Sequence, residues 1–155
     1  MSFDIRTAHP DDAADLIAQN HALMQRHYRD ADNHALDTAA LAEAGMVFLV
    51  AEQAGAVLGC GALAMRGEHA EIKAMFTAPE ARGKGVATAL LQALEARARG
   101  ADVTRLRLET GEALAEAMRL YRRMGFTRCG AFGDYPDTGA SVFMEKRLSD
   151  GQGTR

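Results

Sequence analysis

Residues 69 to 109 constrain the fold more than any other part of this chain. "HAEIKAMFT" reads as a strand, "APEARGKG" as a loop with two glycines flanking a lysine, "VATALLQALEARARG" as a helix and "DVTRLRLET" as a second strand. In the helix, Val86, Leu90 and Leu94, with Ala87 and Leu91 beside them, form one wide apolar face, while Gln92, Glu95, Arg97 and Arg99 face water. In the second strand Val103, Leu106 and Leu108 look one way and Arg105, Arg107 and Glu109 the other. Strands joined through such a helix run parallel, and the crossover presents a ligand at the strands' C-terminal ends and the helix N-terminus.

The other segments arrange themselves around this unit. "FDIRTA" alternates as a first strand, and "HPDDAADLIAQNHALMQRHY" starts a helix at Pro10, with Asp11 and Asp12 favouring its N-terminal dipole. "TAALAEA" is a short helix closed by Gly45. Residues 46–77 read as three antiparallel strands with turns at Gln53-Ala54-Gly55 and Arg66-Gly67-Glu68. "GEALAEAMRLYRRMGF" is a second amphipathic helix, followed by two closing strands around a turn near Pro136-Asp137-Thr138-Gly139. The predicted order is β-α-α-β-β-β-α-β-α-β-β, an α/β fold with a mixed sheet and helices on both faces.

At 155 residues the chain suits one domain, assigned to residues 1–148, with a small polar tail over 149–155 expected to be disordered. The net charge of -3 argues against nucleic acid or an anionic membrane as the main partner. The longest apolar stretch, Gly45 to Ala51, is far short of the roughly 20 residues of a membrane span, and "MSFDIRTAHPDD" lacks a signal-peptide pattern, so a cytoplasmic location is expected. Cys60 and Cys129 sit in strand-like apolar settings and read as structural thiols. The five histidines have no ligand spacing, so no metal is expected.

The loop can be tested against phosphate-binding patterns. A P-loop fails twice, because Ala78 stands at its first glycine and Gly85 at its hydroxyl position. A dinucleotide fingerprint fails at Thr88 and lacks an early strand-helix-strand unit. What remains is Arg82-Gly83-Lys84-Gly85-Val86-Ala87, R-x-x-G-x-A, opening a helix. Glycines let the backbone approach a ligand and expose N–H groups at the positive helix end, so the segment reads as an anion cradle.

"EIKAMFTAPEARGKGVATALLQALEARA" resembles the acetyl-CoA-binding core of the GNAT superfamily of acyl-CoA N-acyltransferases, whose signature is [QR]-x-x-G-x-[GA]. "LETGEALAEAMRLYRRMGF" is similar to its next element, which ends in LY-x-x-x-GF, and the element order matches too. The resemblance implies an acetyl-CoA-dependent N-acetyltransferase acting on a primary amine of a small molecule. A non-catalytic acyl-CoA sensor and a protein lysine or N-terminal acetyltransferase stay open as alternatives. It implies that Met75, Phe76 and Thr77 run beside the pantetheine arm and polarise the thioester carbonyl. Arg82, Gly83, Lys84, Gly85, Val86, Ala87 and Thr88 would hold the pyrophosphate.

The same resemblance makes Tyr121 the acid for the departing thiolate; packing is the other reading of this tyrosine. For the base, Glu71 lies at an even spacing that would put it on one strand face with Met75 and Thr77, although Lys73 offers it a structural ion pair. Glu109, at the end of the neighbouring parallel strand, is the other candidate. His34 and Tyr135 are candidate acceptor contacts, with Asp37 and Asp134 in the same loops. Arg119, Arg122 and Arg123, at helical spacing, read as a solvated helix face, with reach to a cofactor phosphate as the other reading. Leu114 stands where many members carry an asparagine contacting the cofactor's amide arm, a departure from the family pattern, so the resemblance does not imply that contact here. The resemblance also implies a homodimer, with the closing strands as the expected interface.

Overall fold

A computed structural model describes residues 2–148, and the expected disordered tail lies outside them. Strand β1 (Asp4–Thr7) leads through a 3-10 turn (Pro10–Ala13) into α1 (Ala14–His27). The helix begins at Ala14 and not at Pro10, because the His9 ring accepts the Asp11 N–H and tightens the first turn. Asp37 caps the one-turn α2 (Thr38–Leu41) by accepting from the Ala40 N–H at 2.9 Å.

Strands β2 (Met46–Gln53), β3 (Ala56–Arg66) and β4 (His69–Thr77) form the predicted meander. Helix α3 (Val86–Gly100), β5 (Arg105–Thr110), α4 (Ala115–Arg123), β6 (Thr127–Cys129) and β7 (Val142–Arg147) complete the predicted order. The seven strands lie in the order β1-β2-β3-β4-β5-β7-β6, and β4 with β5 is the parallel pair.

One face of the sheet carries α3, whose Val86, Leu90, Leu91, Leu94 and Ala98 are buried, each large aliphatic side chain stabilising by about 1.5–3 kcal/mol. Gly59 permits that approach: a Cβ there would lie 2.7 Å from Val86 Cγ1 and 3.1 Å from the Phe76 carbonyl oxygen. Register puts Leu106 and Leu108 on this apolar face beside Ala70 and Ile72. Glu71, Arg107 and Glu109 therefore share the opposite face.

The closing strands differ from the expected simple hairpin. β6 has three residues, and residues 130–141 form a long irregular loop that folds back over the charged face. Its Phe132 packs edge-on against Phe143 at 5.4 Å and lies under the Arg107 guanidinium, so aromatic burial holds the loop where strand pairing would otherwise continue. Among the described residues no helix is long and apolar enough to cross a membrane.

Candidate active site

After β4 the chain makes a 3-10 turn (Pro79–Ala81) and reaches Gly83 and Gly85 at φ of +80° and +83°, a region glycine enters without the Cβ clash of other residues. Gly85 is the N-cap of α3, where no side chain caps the helix. The first helical bond runs from the Ala89 N–H to the Gly85 carbonyl, so the N–H groups of Val86, Ala87 and Thr88 point out of the positive end without helical partners. Gly83, Gly85 and these three residues line a cleft of about 980 Å³. Arg82 also lines it, folded back with its guanidinium 5.6 Å from the Phe76 ring centroid. Lys84 is exposed and stands outside the cleft wall.

The cleft opens because β4 and β5 part. They pair from His69↔Arg105 to Ile72↔Leu108 and no further. Immediately beyond, Ala74 takes φ +57° and the β3–β4 register shifts between Cys60 and Ala62, so Ala74 and Met75 together stand opposite Gly61. This bulge bends β4 away from β5 and leaves its edge from Lys73 to Thr77 without a strand on that side. The Cys60 thiol, whose pKa burial pushes up to about 12, donates to the Ala74 carbonyl at 3.4 Å.

The bulge also corrects the even-spacing reading of Glu71. Glu71 pairs with Ala64, Lys73 with Ala62 and Phe76 with Cys60, which puts these three side chains on one face. Met75 and Thr77 lie opposite Gly61 and Gly59, on the α3 face. One inserted residue reverses the parity of everything after it.

Glu71 is 5% exposed and does not line the cleft. The Tyr135 hydroxyl donates to its carboxylate, Lys73 Nζ lies 3.4 Å away and Arg66 Nε 3.9 Å. Glu109 does line the cleft and accepts from Ser141 Oγ at 2.6 Å. Burial raises the Glu109 pKa above the ordinary carboxylate range, opposed by the Ser141 bond and by the charges of His34 and Lys73, while Glu71 adds to the rise. Tyr121 lines the same cleft, is 6% exposed and meets Phe126 edge-on at 5.8 Å. Burial raises its pKa, and the negative charge of Glu109 raises it further, so the phenol stays protonated.

On the acceptor side, Gln19, Asn20 and Leu23 of α1 join His34 and Lys73 in the wall. Tyr135 is not in the wall but holds it, meeting His34 edge-on at 5.0 Å and accepting from Lys73. Asp37 is engaged in its helix cap, and Asp134 is exposed. Leu114, which replaces that asparagine, lines the cleft at the N-cap of α4.

Arg119, Arg122 and Arg123 are all exposed, as a solvated helix face would be, and Arg119 and Arg123 also border the cleft and meet no carboxylate among the described residues. Their spacing of one helical turn was the available signal. Ser141 had no such signal, because only the β5–β7 register brings it to Glu109. Among the described residues no group of three or more potential metal ligands is found.

Comparison with known proteins gives a consistent picture. Residues 13–126 match the acetyltransferase (GNAT) family model. An IAA acetyltransferase of Azospirillum brasilense is 44% identical over 123 residues, covering 78% of this chain and 80% of its own. The crystal structure of a candidate acyl-CoA N-acyltransferase from Klebsiella pneumoniae superposes with a TM-score of 0.78 at 34% identity, over 94% of this chain and 97% of the other. A PaiA N-acetyltransferase from Thermoplasma acidophilum, solved in complex with coenzyme A, shares the fold at a TM-score of 0.74 and 16% identity, over 96% of this chain and 100% of the other.

Proposed function

This chain belongs to the GNAT acetyltransferase family, and from that premise we propose that it moves the acetyl group of acetyl-CoA onto a primary amine of a small molecule, by direct attack while both are bound. It is an acetyl-CoA-dependent N-acetyltransferase. Direct transfer within one site is our reading, and one observation carries it: a single cleft joins the free N–H groups of α3 to Glu109 and Tyr121.

The cofactor loop fits an anionic co-substrate. The N–H groups from Gly83 to Thr88 hold the pyrophosphate, and Arg82, Arg119 and Arg123 add positive charge along its path, with Lys84 contributing from outside the wall. Met75, Phe76 and Thr77 lie on the β4 edge without a β5 partner, where backbone N–H groups can meet the pantetheine arm and polarise the thioester carbonyl.

Acetyl-CoA supplies the activated acyl carbon and a thiolate leaving group. Glu109, as carboxylate, accepts the proton of the incoming ammonium, directly or through water. The freed nitrogen lone pair forms the C–N bond, the C–S bond breaks as Tyr121 gives its proton to the sulfur, and the second proton that the nitrogen sheds on becoming an amide restores the Tyr121 phenol, directly or through water. Glu71 has a different role: its carboxylate is committed to Lys73, Arg66 and Tyr135 and positions them. The protein acts in the cytoplasm on this reading, with the closing strands β6 and β7 available for a homodimer.

The test is free-thiol release from acetyl-CoA across a panel of small amines and of peptides with free N-termini or lysines. Turnover with small amines supports the reading, and turnover restricted to peptides overturns it.

A further inference from the structure

The acceptor side of the cleft holds a cationic and an acidic side chain, Lys73 and Glu109, that form no ion pair with each other. Register places Lys73 and Glu109 one residue beyond the last β4–β5 pair, Ile72↔Leu108, on the same face and at the point where the strands part. Ordinarily such neighbours would form an ion pair. Each is instead held by other partners: Lys73 by Glu71 and Tyr135, Glu109 by Ser141.

Lys73 is held from behind. Its side chain is 10% exposed, and the residue lines the cleft, whereas its anchors Glu71 and Tyr135 do not. An ammonium has three N–H donors, and Glu71 and Tyr135 engage two of them. Glu71 is also shared with Arg66 at 3.9 Å, so two cations draw on one carboxylate and positive charge is left in excess beside the cleft. His34, set edge-on against the same Tyr135 ring, lines this wall too and adds a ring N–H donor.

Building on the acetyltransferase reading above, we infer that the acceptor is an amino acid or a close analogue, an amine with a neighbouring carboxylate. Its ammonium faces Glu109, and its carboxylate is received by Lys73 with His34 in support. A zwitterion fills the gap with both charges in register. A plain amine leaves the third N–H of the nearly buried Lys73 ammonium without a partner once the cleft is occupied, and a carboxyamide offers Lys73 no charge. Tyr135 is the positioning residue, since one side chain orients both Lys73 and His34.

The experiment compares matched acceptors at saturating acetyl-CoA: free amino acids, each against its primary amide and its decarboxylated amine, with kcat/KM read from thiol release. Amidation lowers the amine pKa and so favours the amide in intrinsic reactivity, which means a preference for the acid reports recognition. We expect the best free acid to exceed its amide at least tenfold. Lys73→Met should bring that ratio towards one, and Lys73→Arg should keep most of it, while acetyl-CoA still raises the melting temperature of both variants. If Lys73→Met fails to fold, the acid-to-amide ratio of the wild-type protein and of Lys73→Arg decides. An amide that equals or beats its acid overturns the inference while leaving the N-acetyltransferase reading intact. Acetyl-CoA binding with no turnover of any small amine overturns both.

Discussion

Tyr121 and Glu109 are two side chains in one cleft whose environments both favour the protonated form, yet the proposed chemistry asks opposite things of them. A phenol kept protonated is ready to give its proton to a leaving thiolate. Tyr121→Phe should therefore lower kcat by roughly 10- to 1,000-fold and leave CoA affinity nearly unchanged, measured by steady-state kinetics beside calorimetry. Equal loss in both would assign the residue to packing against Phe126. Glu109 has to lose its proton before it can act as a base. Because its pKa is raised, the acid limb of kcat/KM should fall at a pH above that of an ordinary carboxylate, with activity present above that pKa and lost below it. Glu109→Gln should abolish this limb and lower kcat/KM by about 100-fold or more. A limb unchanged in the variant would return the base role to another group. Sequence spacing made Glu71 and Glu109 competing candidates; burial and partners separate them, since Glu71 is spent on three neighbours and Glu109 on one hydroxyl.

The element that links packing to the proposed function is α3, because the same helix that fills one side of the core starts at the loop we assign to the cofactor. Its distance from the sheet is set by Gly59 and Gly61. At Gly61 a Cβ would first meet Met75 Sδ, near the end of a flexible chain that can move aside. Around Gly59 it would meet the branched Val86 at the first position of α3 and the backbone of Phe76, neither of which can yield cheaply. Gly59→Ala should cost about 1–3 kcal/mol of stability by denaturant unfolding, more than Gly61→Ala, and should also weaken acetyl-CoA binding as the helix end shifts. A Gly59→Ala protein of wild-type stability would show that α3 is not held by this contact. β4 makes a parallel case. Its strand character was legible in the sequence, but the bulge at Ala74 was not, because alanine carries no sign of a left-handed conformation and the tertiary fork selects it.

For the molecule as a whole, ligand binding should be visible as added stability. A ligand at 100 times its Kd that binds only the folded chain adds about 2.7 kcal/mol, which for a domain of this size raises the melting temperature by roughly 5–10 °C. Acetyl-CoA should give this rise, and ATP and NADH should give much less, since neither offers a pantetheine arm to the open β4 edge. Equal rises with all three would reduce the cradle to a general anion site. The sequence by itself determined the order of elements, the parallel unit around α3 and the glycine loop with its free helix end. These rest on periodicity and local backbone conformation, which neighbouring residues dictate. Tertiary structure alone decided which carboxylate faces the cleft and that Ser141 and Tyr135 reach residues on β5 and β4. Those outcomes depend on a one-residue change of register and on contacts between segments far apart in the chain, and no local pattern encodes either.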